Sequence, residues 1–432
     1  QKNETALKED ALSDRWESRG SKVAVVSKEK ADNNDYPEAK EVLLVNNTKN
    51  KVIVSQKVFD QAYPASTTKI MTALLTLENL NLSQVVTIKH DITFPDGAAV
   101  AIHLKKGDKI TVEALLNALI IMSANDAAVA LGEAVAGSEA NFVKMMNKRA
   151  KELGATNTHF ANPNGLHLSD HYSTAYDLYL IFKEVAKHNE FFNIAGRSSS
   201  RIEYLGSKGE QKIYDMASTN QYIAGTYTLP SQVYMIGGKT GTTTQAGSCL
   251  ILLTKNKDGE EFISVVLKGV TKSALYHTMT DILSKEMIDK MQEVGCTSVH
   301  IGIESGSQDV INKINKHISL ERSEELLAYM SQKGLQVMCS FIIGHHCDTH
   351  ETIKETIDMA LKFRKKYKAT VGISINTPFP GTYLYNHMKD LGINLEIKNW
   401  SSFDLVQAVF STPNITRAEL QNYYYEIQSM VI

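Results

Sequence analysis

The chain has 432 residues, a formal net charge of -2, 43% hydrophobic residues and 22% charged ones. A single hydrophobic core stops growing near ~250 residues, so two to three domains are expected. The near-neutral charge gives no electrostatic case for nucleic acid or an anionic membrane as a partner, and the apolar runs "VEALLNALIIM" and "SCLILL" fall short of the ~18 residues that span a bilayer.

Residues 1 to 40 are dense in Lys, Glu and Asp with few large apolar residues and read as a flexible charged leader. The chain begins at Gln1 with no n-region or h-region, as in a mature product after signal removal or a trimmed piece. From Glu41, "EVLLVNNTKNKVIVSQ" sets two apolar runs about an Asn-rich turn, a hairpin signature. After Pro64, Ile70, Ala73, Leu74 and Leu77 follow the i, i+3, i+4, i+7 rule, which predicts a helix with its first turn near Ser66. A second helix starts with Thr111 as N-cap and aligns Val112, Leu115, Leu116 and Leu119. A third runs from Ser138 to a stop at Gly154, so the middle reads as helical. Residues 232 to 270 return to strands as an antiparallel meander with a "KDG" turn. Strand, helices, then strands is an α+β order over 41 to 283.

The pattern changes near Ser284. Helices now alternate with the strands "TSVHIGI", "LQVMCSFII" and "ATVGISI", whose near-continuous apolar character is that of a parallel sheet covered on both faces. Residues 284 to 432 therefore read as a separate α/β domain.

Three short motifs carry chemistry. Ser66-Thr67-Thr68-Lys69 puts a hydroxyl and an amine three residues apart on one helix face. A serine hydroxyl needs such a base, and the lysine can serve only if burial beside a second cation lowers its pKa; Lys239 is the candidate cation. Ser123-Ala124-Asn125 follows the apolar helix end "LLNALIIM" in a loop between helices. Lys239-Thr240-Gly241 lies on a strand, where Gly lets a substrate backbone approach. Each match alone is commonplace: solvated helix surface, a helix cap, or an edge strand guarded by a lysine.

In this order, with spacings of roughly 55 and 115 residues, the three resemble the signature elements of the penicillin-recognising serine enzymes. With "ASTTKIMTALL", "AVAIHLKKGDKITVEALLNALIIMSANDAAVALGEAVAG", "HFANPNGLH" and "HYSTAYDL", residues 40 to 283 resemble the serine-type D-alanyl-D-alanine carboxypeptidases, the low-molecular-mass penicillin-binding proteins. The resemblance implies a β-lactamase/DD-peptidase-like transpeptidase fold, an antiparallel sheet with a helical cluster. It implies that Ser66 attacks the penultimate D-Ala carbonyl, that Lys69 takes its proton and that Ser123 relays a proton to the leaving amine. Asn125 would bind the substrate amide, Lys239, Thr240 and Gly241 the carboxylate end, and the backbone N–H groups of Ser66 and Thr242 the oxyanion. Lys272 is a candidate additional carboxylate-binding cation. The implied partners are a peptidoglycan stem peptide ending in D-Ala-D-Ala and β-lactams, with no nucleic acid, no cofactor and at most peripheral membrane association. The implied location is extracytoplasmic, and the single cysteine among the first 290 residues, Cys249, is compatible with an oxidising compartment. A class A β-lactamase adds a glutamate that activates the deacylating water, and "NPNGLHLSDHYS" contains none, which favours the peptidase. The alternatives are a β-lactamase-like hydrolase, a non-functional chimera, a peptidoglycan-binding module and, for the remaining chain, a radical SAM enzyme.

Residues 284 to 432, through "GCTSVHIGIESGSQDVINKINKHIS", "GLQVMCSFIIG", "ETIKETIDMALKF" and "ISINTPFPGTYLYNHMKDLG", resemble the C-terminal half of a radical SAM enzyme barrel. This implies a partial TIM-type barrel in which Glu304 is the position near the cofactor. The Cys-x3-Cys-x2-Cys loop that holds the iron-sulfur cluster is absent, and Cys296, Cys339 and Cys347 are too far apart to imitate it. In "GHHCDTH", His345, His346, Cys347 and His350 match no standard zinc spacing, so no metal is expected.

Overall fold

The computed structural model describes residues 24, 26, 36 to 94, 99 to 316 and 318 to 431. The chain divides into two compact units, Gln1–Leu283 and Ser284–Ile432. Most of the expected leader lies outside the described residues. Several of its described positions are packed: Ala24 is buried with its backbone bonded to the hydroxyls of Tyr176 and Tyr179, and the Tyr36 N–H donates to Gln56 Oε1 at 2.8 Å. Charge density along the sequence does not register these few apolar anchors.

The first unit begins with the hairpin β1 (Glu41–Asn46) and β2 (Lys51–Gln56). A 3-10 turn (Ala65–Thr68) then runs directly into α1 (Lys69–Asn79). After β3 (Val85–Thr87) and β4 (Lys109–Thr111) comes α2 (Val112–Asn117), with Thr111 Oγ1 accepting from the Ala114 N–H. The predicted helix does not continue regularly through Leu119. Its end is a π-helical turn, Ala118–Met122, closed by Ser123 in the left-handed region at φ 68°. Such turns are frequent at functional sites. Helices α3 (Asn125–Ala136), α4 (Glu139–Glu152), α5 (Ala175–Val185) and α6 (Asn189–Ala195) follow.

The expectation of an all-helical middle is corrected by β5 (Ser199–Leu205) and β6 (Gln211–Ala217), which join β3 and β4 in a four-stranded antiparallel sheet. These strands are short or exposed on one face and carry many polar residues, so their apolar alternation is faint.

Strands β7 (Val233–Thr243), β8 (Gly247–Asn256) and β9 (Glu261–Gly269) complete a five-stranded antiparallel sheet in the order β2-β1-β9-β8-β7. Both of its faces are covered. Leu43 and Val45 point into the core shared with α1 to α5, whereas Val42 and Leu44 join Leu275, Tyr276 and Met279 of α7 (Lys272–Glu293). Two covered faces explain why β1 reads as an unbroken apolar run.

In the second unit, β10 (Ser298–Glu304), α8 (Gln308–Lys313), α9 (Leu320–Gln332), β11 (Gln336–Ile343), α10 (His350–Tyr367) and β12 (Thr370–Ile375) form an open parallel sheet, β10-β11-β12. The short helix α11 (Tyr383–Asn386), the small hairpin β13 (Asn394–Leu395) and β14 (Phe410–Ser411), and α12 (Arg417–Val431) complete it. Among the described residues this sheet has three strands and no closed barrel. Only one face is fully covered: Val337, Cys339, Phe341 and Ile343 are buried, while Gln336 and Met338 are exposed. That corrects the expectation of two covered faces.

Gly132 of α3 packs directly on the Phe142 ring of α4, where an added Cβ would sit 2.8 Å from the ring. Phe142 is fully buried. Phe142→Ala should therefore cost about 3–5 kcal/mol, read as a lowered midpoint in a urea titration followed by circular dichroism.

Candidate active site

The Ser66 turn forms because Ala65 adopts φ +48° after Pro64, which bends the chain sharply into the helix. A non-glycine residue in that region is strained and must be held by its surroundings. Here Thr67 Oγ1 donates to the Pro64 carbonyl at 2.6 Å, and Gly165 fits against the Ala65 carbonyl so closely that a Cβ would lie 1.9 Å from its oxygen. Ser66 remains partly exposed, whereas Lys69, one turn along, is completely buried.

Lys69 Nζ lies 2.9 Å from Ser66 Oγ and donates to Asn125 Oδ1 at 2.8 Å and to the Asn164 carbonyl at 2.6 Å. Burial pushes its pKa well below the ordinary lysine value; the Lys239 charge lowers it further and Asp126 pulls back upward. A neutral amine has two N–H donors and one lone pair. The Asn125 and Asn164 oxygens are pure acceptors, so they take both donors and the lone pair is left facing the Ser66 hydroxyl.

Lys239 lies on β7, is also buried, and donates from Nζ to Ser123 Oγ at 3.0 Å and to the Thr240 carbonyl at 2.9 Å. Burial lowers its pKa to about 7. The left-handed Ser123 backbone brings its hydroxyl into reach of that lysine. Thr240 Oγ1 and Thr219 Oγ1 lie 2.5 Å apart. Gly241 is the point at which β7 crosses the Ser66 turn, since a Cβ there would lie 2.8 Å from the Ser66 nitrogen and 3.0 Å from that of Thr67. Thr242 is exposed one position further along the strand.

Of the residues singled out in the sequence, Ser66, Lys69 and Asn125 thus meet at one lysine nitrogen, and Ser123, Lys239 and Thr240 at another. Lys272 stands apart from both, exposed at the first position of α7.

Several contributors carried no sequence signal. Asn164 acts through a backbone carbonyl, which every residue has. Its loop is built by Asn162, whose Oδ1 accepts the N–H groups of Asn164 (3.3 Å) and Gly165 (2.7 Å), and "NPNG" is legible as a turn but not as a lysine acceptor. Buried Asp126 accepts the N–H groups of Ile102 and Leu104 at 3.1 and 3.0 Å and anchors the start of α3. A cavity of about 930 Å³ opens beside the site, lined by Asn164, Leu166, His167, Thr243 and Gln245 among others.

Fold and sequence define the class first. The first unit is similar to the crystal structure of the Streptomyces K15 DD-transpeptidase, with a TM-score of 0.53 and 28% identity over 58% of this chain and 97% of that one. The D-alanyl-D-alanine carboxypeptidase family model matches residues 28–271, and the chain belongs to that family of serine hydrolases. It is 33% identical to the D-alanyl-D-alanine carboxypeptidase DacF of Bacillus subtilis over 69% of this chain and 73% of that protein. With DacC of Escherichia coli it shares 30% identity over 57% of this chain and 60% of that protein. A radical SAM superfamily model also matches, over residues 232–360. Its first part falls on β7 to β9, which are antiparallel strands of the peptidase sheet.

The cluster which that superfamily implies finds no matching donors. Cys339 is buried on β11, Cys296 and Cys347 lie in separate loops, and among the described residues no three His, Cys, Asp or Glu side chains gather as metal ligands. Glu304 is ion-paired with Lys316, His345 contacts Asn376, and His350 Nδ1 lies 2.8 Å from the Tyr423 hydroxyl.

Gly165→Ala must displace the Ala65 carbonyl and adopt a strained backbone. It should cost at least ~1–3 kcal/mol and slow benzylpenicillin labelling, checked by thermal melting together with the labelling rate.

Proposed function

We propose that Ser66 is the nucleophile and Lys69 the general base of a peptidoglycan carboxypeptidase that removes the terminal D-Ala of stem peptides. The observation that carries this reading is the Lys69 hydrogen-bond set: two fixed acceptors leave the lone pair of the neutral amine for the Ser66 proton. Attack forms a tetrahedral adduct whose oxyanion is met by the backbone N–H groups of Ser66 and Thr242, donors that need no reorganisation. The crossing of β7 over the turn at Gly241 supports that pairing.

Lys239 and Thr240 hold the substrate carboxylate as a cation and a hydroxyl, with Gly241 admitting the substrate backbone. Ser123, bonded to Lys239, passes a proton to the departing D-Ala amine. Asn125, oriented by Lys69, takes the substrate amide. Upstream residues of the peptide extend from Thr243 into the adjoining cavity. Water then releases the acyl group.

The loop from Asn162 to Ser173 favours a peptidase over a β-lactamase. Its one carboxylate, Asp170, is exposed and lies beside His159. Without a buried carboxylate to activate water, a β-lactam that acylates Ser66 should leave slowly. A peptidoglycan substrate puts the site of action outside the cytoplasm. Among the described residues no helix is long and apolar enough to cross a membrane.

Intact-protein mass spectrometry should detect one benzylpenicillin adduct per chain on the wild type and none on Ser66→Ala, whose turnover should fall about 10⁴-fold or more. A Ser66→Ala protein that still forms the adduct would exclude Ser66 as the nucleophile.

The pH dependence follows from the same pair of lysines. Lys69 must be neutral to act, and burial, which lowers its pKa well below the ordinary lysine value, favours that form. Lys239 must be charged to hold a carboxylate, and in the free enzyme it loses its proton as pH rises through about 7. kcat/KM should therefore fall on the alkaline side of about 7, and the limb should move upward in kcat because a bound carboxylate favours the ammonium. A kcat/KM profile that stays flat well above pH 7 would contradict this assignment.

A further inference from the structure

Behind the nucleophile turn lies a buried imidazole that the mechanism above does not use. His171 is 2% exposed, and its ring spans two segments of chain. Nδ1 accepts the backbone N–H of Ala161 at 3.0 Å, and Nε2 lies 2.7 Å from Thr68 Oγ1. The first contact fixes the tautomer. A backbone N–H can only donate, so Nδ1 carries no proton and Nε2–H donates to Thr68.

Both partners occupy sensitive places. Thr68 sits between Ser66 and Lys69. Ala161 immediately precedes the Asn162 to Gly165 turn, whose Asn164 carbonyl holds Lys69 and whose Gly165 lies against Ala65. One further tie joins the same two segments, Thr72 Oγ1 donating to the Pro163 carbonyl at 2.6 Å. The imidazole itself is steadied by the Phe160 ring, edge-on at 5.7 Å, and by flanking bridges of Tyr172 to His159 and Ser173 to Ala62.

We propose that His171 is a positioning residue of the acylation site, a neutral clamp that fixes the distance between the nucleophile turn and the loop whose carbonyl orients Lys69. The proposal rests on the assignment of Ser66 and Lys69 as nucleophile and base. It follows from the geometry that an apolar side chain of similar size would fill the space and leave both ties unmade. Lys69 would then lose the fixed register between Ser66 and the Asn164 carbonyl, and a misplacement of ~1 Å in such a constellation costs about 10²-fold in rate.

Protonation would undo the clamp as effectively as mutation, because an imidazolium turns an N–H toward the Ala161 N–H. The ionisable groups around the ring are Lys69 from α1 and His159, His167 and Asp170 from the adjoining loop. Burial, followed by the His159 charge, lowers the His171 pKa to about 4, with Asp170 opposing. The clamp is thus intact at neutral pH and opens only in acid.

The test measures benzylpenicillin acylation of the full chain, separating the limiting acylation rate from the non-covalent dissociation constant. It compares wild type with His171→Leu, His171→Gln and Thr68→Val across a pH series. The expected result is about a 10²-fold loss in limiting rate for His171→Leu, a parallel loss for Thr68→Val, and a dissociation constant within ~2-fold of wild type. His171→Gln, whose amide nitrogen can still donate to Thr68, should recover much of the rate. It should also lack the acid limb near 4 that wild type shows. Should His171→Leu fail to fold, as judged by circular dichroism, Thr68→Val decides alone. Folded variants that acylate within ~2-fold of wild type would overturn the clamp. A wild type that gives no adduct at all would sink the underlying assignment of Ser66 and Lys69, and the clamp with it.

Discussion

The site depends on the burial of two lysine side chains, Lys69 and Lys239, in one cleft. An unpaired ammonium buried in protein is costly enough that the group usually surrenders its proton. No carboxylate is bonded to either amine; their partners are neutral oxygens from Ser66, Asn125, Asn164, Ser123 and Thr240. The fold thus withholds counter-charge and supplies hydrogen bonds, and burial lowers the pKa of both lysines, that of Lys239 to about 7. Asp126 is the negative charge that acts on Lys69, and its oxygens are committed to backbone N–H groups.

That chemistry requires three chain segments to approach at backbone distance. The Ser66 turn, the Asn162 to Gly165 loop and β7 meet where Gly165 faces the Ala65 carbonyl and Gly241 faces the Ser66 nitrogen. At both positions a methyl group would force the segments apart. Strain at Ala65 is held by the close approach of Gly165, and the left-handed Ser123 is tied by its hydroxyl to Lys239, so the local backbone cost is met by tertiary packing rather than by local sequence preference.

The second unit has an ordered core of its own around Phe341, Ile343, Ile353 and Phe410, and its α10 begins with a full capping box at Thr349 and Thr352. Among its described residues it lacks a donor set for the cluster that the radical SAM superfamily implies, and a covering on one face of its parallel sheet within the unit. His300, Met338 and Ser340 mark that face. Its strands read as continuously apolar because one set of side chains is buried and the other includes Ile342 at intermediate exposure. A run of apolar letters therefore overstated the covering.

Much of the first unit was legible in the sequence because its signals are local. Helix α1 follows from one apolar stripe, β1 and β2 from two runs about a turn, and the change of architecture near Ser284 from a change in strand and helix alternation. Ser66, Lys69, Ser123, Asn125, Lys239 and Thr240 could be named because side-chain type at characteristic spacing is written in the sequence. The four-stranded sheet, the π-helical turn before Ser123, and the parts taken by Asn164, Asp126 and His171 were not. They depend on carbonyls, backbone angles and imidazole tautomers, which only partners distant in sequence define. The sequence by itself determined which functional groups the site contains. Tertiary structure alone decided their protonation states and the direction of each hydrogen bond, because burial and the identity of the facing atom exist only once the segments have met.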